Sequence, residues 1–426
     1  MNDATLKNDE STVITKPTFS EAFWYWLKLG FISFGGPAGQ IAMMHRELVD
    51  NKKWITEENF LHALNFCMLL PGPEAQQLAV YNGWRLHGTK GGITAGTFFV
   101  LPSVFVLLAL SYIYAKFGAV PEIAAVLEGI KAVVVAIVLE AVWKIGKKTS
   151  KSWIHIVISA LAFIAIYFFH IPFPLIVLGA GIIGYLLKPK SEDLKFEEKP
   201  SIIISKLRIL KTFAVCLTLW LIPFATLLYT FGWKTLPVKI YLFFTQAAFV
   251  TFGGAYSVLA YVNQILVNDY GWITARQSID GFGLAETTPG PLIMVLQFIG
   301  FMAGWNNPGD YNQTWFAVLC ALLTTFVTFL PSFLFIFTFA PFVEKFQGNK
   351  TLSSTLQGVT AAVVGVILNL ALAFGIAVIF ADNRFHLFAA IISLISLILM
   401  FRFKIDVLWI VLGGGLAGLL KIWLFP

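Results

Sequence analysis

Charge is what this sequence has least of. Asp, Glu, Lys and Arg make up 12% of the 426 residues, against roughly 25% in soluble domains. Stretches such as 91–115, 152–187, 212–233, 311–343 and 351–381 contain none of the four. That excludes an ordinary soluble enzyme. Cysteine is scarce as well: Cys67, Cys216 and Cys320 stand singly in apolar segments without CxxC spacing, so neither a disulfide frame nor a thiolate metal site is signalled. No HExxH, no Ser/His/Asp arrangement and no metal-ligand cluster occurs, which disfavours an integral-membrane enzyme and predicts no cofactor. Residues 1–18 lack an apolar core of their own and read as a polar tail, not a cleaved signal peptide.

What is present is apolar surface, 58% by residue. Each uncharged stretch is long enough to span a ~30 Å hydrocarbon core at ~1.5 Å per helical residue. A transmembrane β-barrel would alternate polarity over roughly 10-residue segments, whereas these runs are apolar on both faces. The fold class is therefore all-α and polytopic, with the lipid bilayer as its surroundings. The net charge of +7 falls in short clusters between apolar runs, as the positive-inside rule requires, so nucleic acid is not the partner it implies.

The chain repeats itself. At an offset of 218, Phe34-Gly35-Gly36 matches Phe252-Gly253-Gly254, Trp54-Ile55-Thr56 matches Trp272-Ile273-Thr274, and Pro71-Gly72-Pro73 matches Pro289-Gly290-Pro291. At 229, Leu101-Pro102-Ser103 matches Leu330-Pro331-Ser332. The organisation predicted is a tail at 1–18, a first repeat at 19–187, a charged linker with one extra helix at 188–236, and a second repeat at 237–426. The lysines at 144–151 and the basic linker read as cytoplasmic. Crossing outward once, the extra helix inverts the second repeat, giving about 13 spans and an external C-terminus. The segment 57–87 is either one broken crossing or a re-entrant hairpin.

Helix is interrupted twice in each repeat, at Gly-Gly and at Pro-Gly-Pro. Proline removes an N–H donor and glycine permits positive φ, so helices must stop and restart there. At membrane depth, freed backbone groups are tolerated only inside protein or beside a watery cavity. Matched breaks in two inverted halves point to a transport site, and restarting helices present N–H groups that suit an anion. The competing reading, close packing alone, explains one break better than four. Candidate substrate-binding residues are Gly35, Gly36, Gly72, Pro73, Gln76, Arg85, Gly253, Gly254, Gly290 and Pro291. Arg46 is a weaker cationic candidate. Glu74 and Glu286, each flanking a break, are candidate coupling residues. Glu128 and Lys131, at i,i+3 spacing, are expected to neutralise one another.

These motifs resemble the chromate ion transporters of the CHR family in their long two-domain form. The match rests on Phe34-Gly35-Gly36-Pro37, Gln40, Glu47, Trp54, Pro71 to Ala79, Gly83, Arg85, Leu86, Gly88 and Leu101-Pro102-Ser103, and on the second-half motifs with Glu286-Thr287-Thr288. Ala255 departs from the proline at Pro37, so the halves need not contribute equally. The resemblance implies a cytoplasmic-membrane exporter of chromate, with sulfate as the related anion, energised by membrane potential or a proton gradient. A proton-coupled importer of sulfate or another oxyanion is the alternative. Assembly into a homo-oligomer stays open.

Overall fold

The computed structural model describes residues 16–34, 36–149, 152–187, 206–252, 254–340 and 350–424. Helix α1 (Phe19–Ile32) starts on a capping box, in which the Thr18 hydroxyl accepts from Glu21 N–H while the Thr18 N–H donates to the Glu21 carboxylate at 2.7 Å. Helix α2 (Gly36–His45) runs into a π-helical turn, Arg46–Asn51. A φ of 66° at Gly36 sends this pair back on itself, and Trp54 meets Tyr25 of α1 edge-on.

Helix α3 (Glu57–Cys67) is 11 residues long, about 16 Å and half a bilayer. Helix α4 (Glu74–Phe117) consists of two helical legs, because His87 and Gly88 leave helical dihedrals. Gly83 lies against Gly91, and Val80 against Gly92 and Gly96, so the legs 74–86 and 89–117 are antiparallel. Phe66 of α3 faces Tyr81 of the first leg, and the turn returns to the start of α1, with His87 Nε2 3.0 Å from the Pro17 carbonyl. The segment 57–87 thus turns back on itself as a hairpin.

Helices α5 (Pro121–Thr149), α6 (Trp153–Phe169) and α7 (Phe173–Leu186) complete the first repeat, and α8 (Lys206–Phe231) precedes the second. There α9 (Leu236–Val250), α10 (Ala255–Val262), the π-helical turn Asn263–Asp269, α11 (Ala275–Glu286), α12 (Val295–Asn306) and α13 (Gln313–Phe339) follow the same path. The agreement reaches single bonds. Trp54 N–H donates to Leu48 O and Trp272 N–H to Leu266 O, both at 2.9 Å. Thr56 and Thr274 then cap α3 and α11 with their hydroxyls, which is what the Trp-Ile-Thr motif is for. Asn306, at the end of α12, bonds the Trp272 carbonyl beside the start of α11. At the Pro-Gly-Pro breaks the chain turns back in both repeats, α3 against the first leg of α4 and α11 against α12.

Helices α14 (Lys350–Ile379), α15 (Leu387–Arg402) and α16 (Val407–Leu424) end the described chain. The repeats clasp each other: α5 packs on α15 and α16, and α14 packs on α6 and α7. Small residues allow the close approach, Gly129 against Gly414 and, at the matching position, Gly358 against Ala180 and Gly184. Among the described residues, five helices are long and apolar enough to cross a membrane. The outward side chains are large and apolar, among them Leu178, Leu394 and Trp409, a surface suited to lipid and not to water.

Candidate functional site

The breaks of the two repeats meet. Gly72 N–H donates to Thr251 O and Gly290 N–H to Ser33 O, each at 2.8 Å. Ser33 and Thr251 are equivalent positions at the 218 offset, so each Pro-Gly-Pro closes the end of the other repeat's first helix. Both glycines have φ in the left-handed region, 120° at Gly72 and 96° at Gly290, where a side chain is strained. A Cβ on Gly72 would stand 3.2 Å from Ser332 Oγ, and one on Gly290 would stand 3.1 Å from Ser103 Oγ. The Leu-Pro-Ser motif of each long helix thus supplies a hydroxyl to the break of the other repeat.

Around this crossing lie buried Ser33, Gln40, Gln76, Gln77, Ser103 and Ser332, with buried Asn82 about 14 Å along α4 from Pro73. Gln40 Nε2 bridges the Ser33 and Gly290 carbonyls at 3.1 and 2.6 Å, and Gln77 Nε2 bonds the Pro71 carbonyl at 2.7 Å. Left without a partner are the hydroxyls of Ser33, Ser103 and Ser332, both amide atoms of Gln76 and Asn82, and the amide oxygens of Gln40 and Gln77. Each buried polar atom without a partner costs about 1–3 kcal/mol. A cluster of them at two helix starts is a place for water or a polar solute, and neutral N–H and O–H donors there suit an oxyanion.

Pro73 and Pro291 are buried and precede the restarting helices. Gly36 and Gly254, half-buried with φ of 66° and 86°, open α2 and α10. Gly35 and Gly253 lie outside the described residues. Gln76 is at the crossing; Arg85 is not. It is exposed near the far end of the first leg of α4, about 18 Å along the helix from Pro73, and Arg46 is exposed in its π-helical turn. Glu74 occupies the first turn of α4, half-buried, with Lys148 in electrostatic reach. Glu286 is buried at the end of α11, facing Glu140, Lys144 and Asp406. Glu140 and Lys144 pair at 2.7 Å.

The expected Glu128–Lys131 pair is corrected. Glu128 bonds Lys421 at 2.7 Å and Lys131 turns to Asp280 at 4.0 Å, because both partners come from the other repeat, which helical spacing cannot reveal. Ser33, Ser103, Ser332, Gln40 and Gln77 were also absent from the candidates. For the two Leu-Pro-Ser serines the signal was their recurrence in both repeats.

Paired helical hairpins meeting at a buried, polar crossing inside a helical bundle with a large apolar outer surface define a multi-pass membrane transporter. The model of the chromate transporter family matches the chain twice, over residues 20–185 and 238–419, and the protein belongs to that family. It is 32% identical to a chromate transport protein of Pseudomonas aeruginosa, covering 96% of this chain and 94% of that one. To a chromate transport protein of Cupriavidus metallidurans it is 28% identical, over 96% and 95%. An uncharacterized transporter of Bacillus subtilis, YwrA, aligns at 28% identity with 37% of this chain but 90% of its own length. No solved structure matches.

Proposed function

We propose that the protein exports chromate and related tetrahedral dianions from the cytoplasm across the cytoplasmic membrane, and that its repeats, 19–187 and 237–426, are an inverted-topology pair joined by 188–236. The observation that carries the reading is the reciprocal crossing, Gly72 on Thr251 and Gly290 on Ser33, ringed by unpartnered hydroxyls and amides. Donors from both repeats converge there, so a small rocking of one against the other would change which face they open to. Two facts support the duplication: the double family match and a relative about one repeat long. Chromate comes first among the dianions because relatives matched over most of their length bear that name. Glu74 and Glu286 beside the breaks favour proton-coupled sulfate uptake as the second reading.

Labelled chromate and sulfate offered to inside-out membrane vesicles test both. Export predicts accumulation inside such vesicles when their lumen is made positive, with chromate and sulfate competing. Uptake into right-side-out vesicles driven by an acid exterior would replace export with the importer.

A further inference from the structure

Lys131 is a buried cation that the crossing does not use. It stands on α5, 9% exposed, with the fully buried Asp280 of α11 at 4.0 Å, beyond hydrogen-bond reach. Asp280 accepts from the Tyr114 hydroxyl at 2.9 Å, and its Oδ1 has no hydrogen-bond partner. Arg276, one turn earlier on α11, is also 4.0 Å from the carboxylate. Glu128, the other acid near Lys131, is engaged by Lys421. Two cations therefore face one carboxylate, and neither grips it. A buried ion pair kept for stability alone needs close geometry to offset desolvation, and this one lacks it.

The arrangement occurs once. At the matching positions the first repeat has His62 and Glu58, and the second has Thr360 in place of Lys131. It is also adjacent to the helix that leads to the break, since Gly283, one turn past Asp280, lies against Ile130, the neighbour of Lys131. From there α11 leads directly into Pro289-Gly290-Pro291.

We propose that Lys131 is a relay subsite for the oxyanion between the crossing and the face where α11 begins, with Asp280 as a tethered competitor. The proposal rests on the oxyanion reading given above. A desolvated ammonium offers three donors to a dianion's oxygens. The carboxylate neutralises the lysine when the subsite is empty and reclaims it when the anion leaves, so the anion is passed on and not trapped. No bond is made or broken in the step.

Counterflow of labelled sulfate and chromate in proteoliposomes tests this with Lys131→Met, Lys131→Arg, Asp280→Asn and the double Lys131→Met/Asp280→Asn, each checked for a native Tm. Lys131→Met weakens transport about 10- to 100-fold, the range of one charge-assisted hydrogen bond, and Lys131→Arg keeps most of it. Asp280→Asn lowers KM and kcat together, because the lysine is no longer reclaimed. The double variant stays as poor as Lys131→Met. Recovery in the double variant means the pair only balances charge, and overturns the proposal, as does an unchanged KM in Asp280→Asn. Should Lys131→Met not fold, the Lys131→Arg activity and the Asp280→Asn KM decide. A wild-type protein that moves neither anion sinks the functional reading and the subsite with it, whereas normal wild-type flux with a recovered double variant sinks the subsite alone.

Discussion

At the scale of the residue, the glycines of the two Pro-Gly-Pro breaks are fixed by conformation and by space. A side chain at Gly290 would have to hold φ near 96° while its Cβ stood 2.8 Å from Ser103 Cβ, and strain of that kind costs about 1–3 kcal/mol. Gly290→Leu and Gly72→Leu are expected to insert in the membrane yet transport at least about tenfold more slowly, as measured by chromate flux in vesicles. Normal flux in both would reduce the breaks to packing devices. Ser103 and Ser332 test the chemistry more gently, because their hydroxyls are unpartnered and serine to alanine removes only a donor. Ser103→Ala/Ser332→Ala is expected to raise KM for chromate several-fold with little change in Tm, since no intramolecular bond is lost. A large fall in Tm instead would show that the hydroxyls hold the long helices together.

At the scale of the element, the hairpin within α4 has no counterpart turn of equal tightness. Its legs reverse at His87 and Gly88 with no intervening loop, and Gly83 rests directly on the Gly91 backbone. In the second repeat α12 and α13 reverse through the loop at 307–312, around which the repeat offset rises from 218 to 229. Gly83→Val should therefore cost about 1–3 kcal/mol in overpacking and lower Tm without shifting the KM of whatever protein folds. A KM shift at unchanged Tm would place Gly83 in the site.

How much of this was legible in the sequence differs by element. The breaks, the repeat offset and the extra helix were, because Gly, Pro and Trp-Ile-Thr act locally on φ, on donors and on caps. Whether 57–87 crosses or turns back was not, because Gly88 looks like one more small residue in an apolar run. The partners Ser332 for Gly72 and Asp280 for Lys131 lie in opposite repeats, where no spacing rule reaches. Arg85, a candidate by sequence twelve residues past Pro73, is carried to the surface by a straight helical leg.

At the scale of the whole molecule, orientation and direction are one question. The tip at 401–406 lies beside the end of α5, with Phe401 edge-on to Trp143, and Lys421 near the end of α16 reaches Glu128 near the start of α5. Lys148 and Lys404 thus belong to one face and the end of α16 to the other. Reporters joined at Lys148 and Lys404 should both read cytoplasm, and one joined after Pro426 should read the exterior. A cytoplasmic reading at all three would end the inverted-repeat proposal. Given that orientation, an interior-negative potential drives a dianion outward with about 2 × 2.3 kcal/mol per 100 mV, enough for a roughly thousandfold gradient. Uptake of the same dianion runs against that force and needs two protons for electrical balance alone. Only Glu74 and Glu286 flank the breaks, and Glu74 sits in the first turn of a helix, where the dipole already favours an acid. Efflux needs no proton carrier, so chromate export should persist when the pH gradient is collapsed and the potential kept, and Glu286→Gln should slow turnover without abolishing it. Flux that vanishes with the pH gradient alone, or a correctly inserted but inert Glu286→Gln, would make proton coupling obligatory and the voltage-driven mechanism wrong.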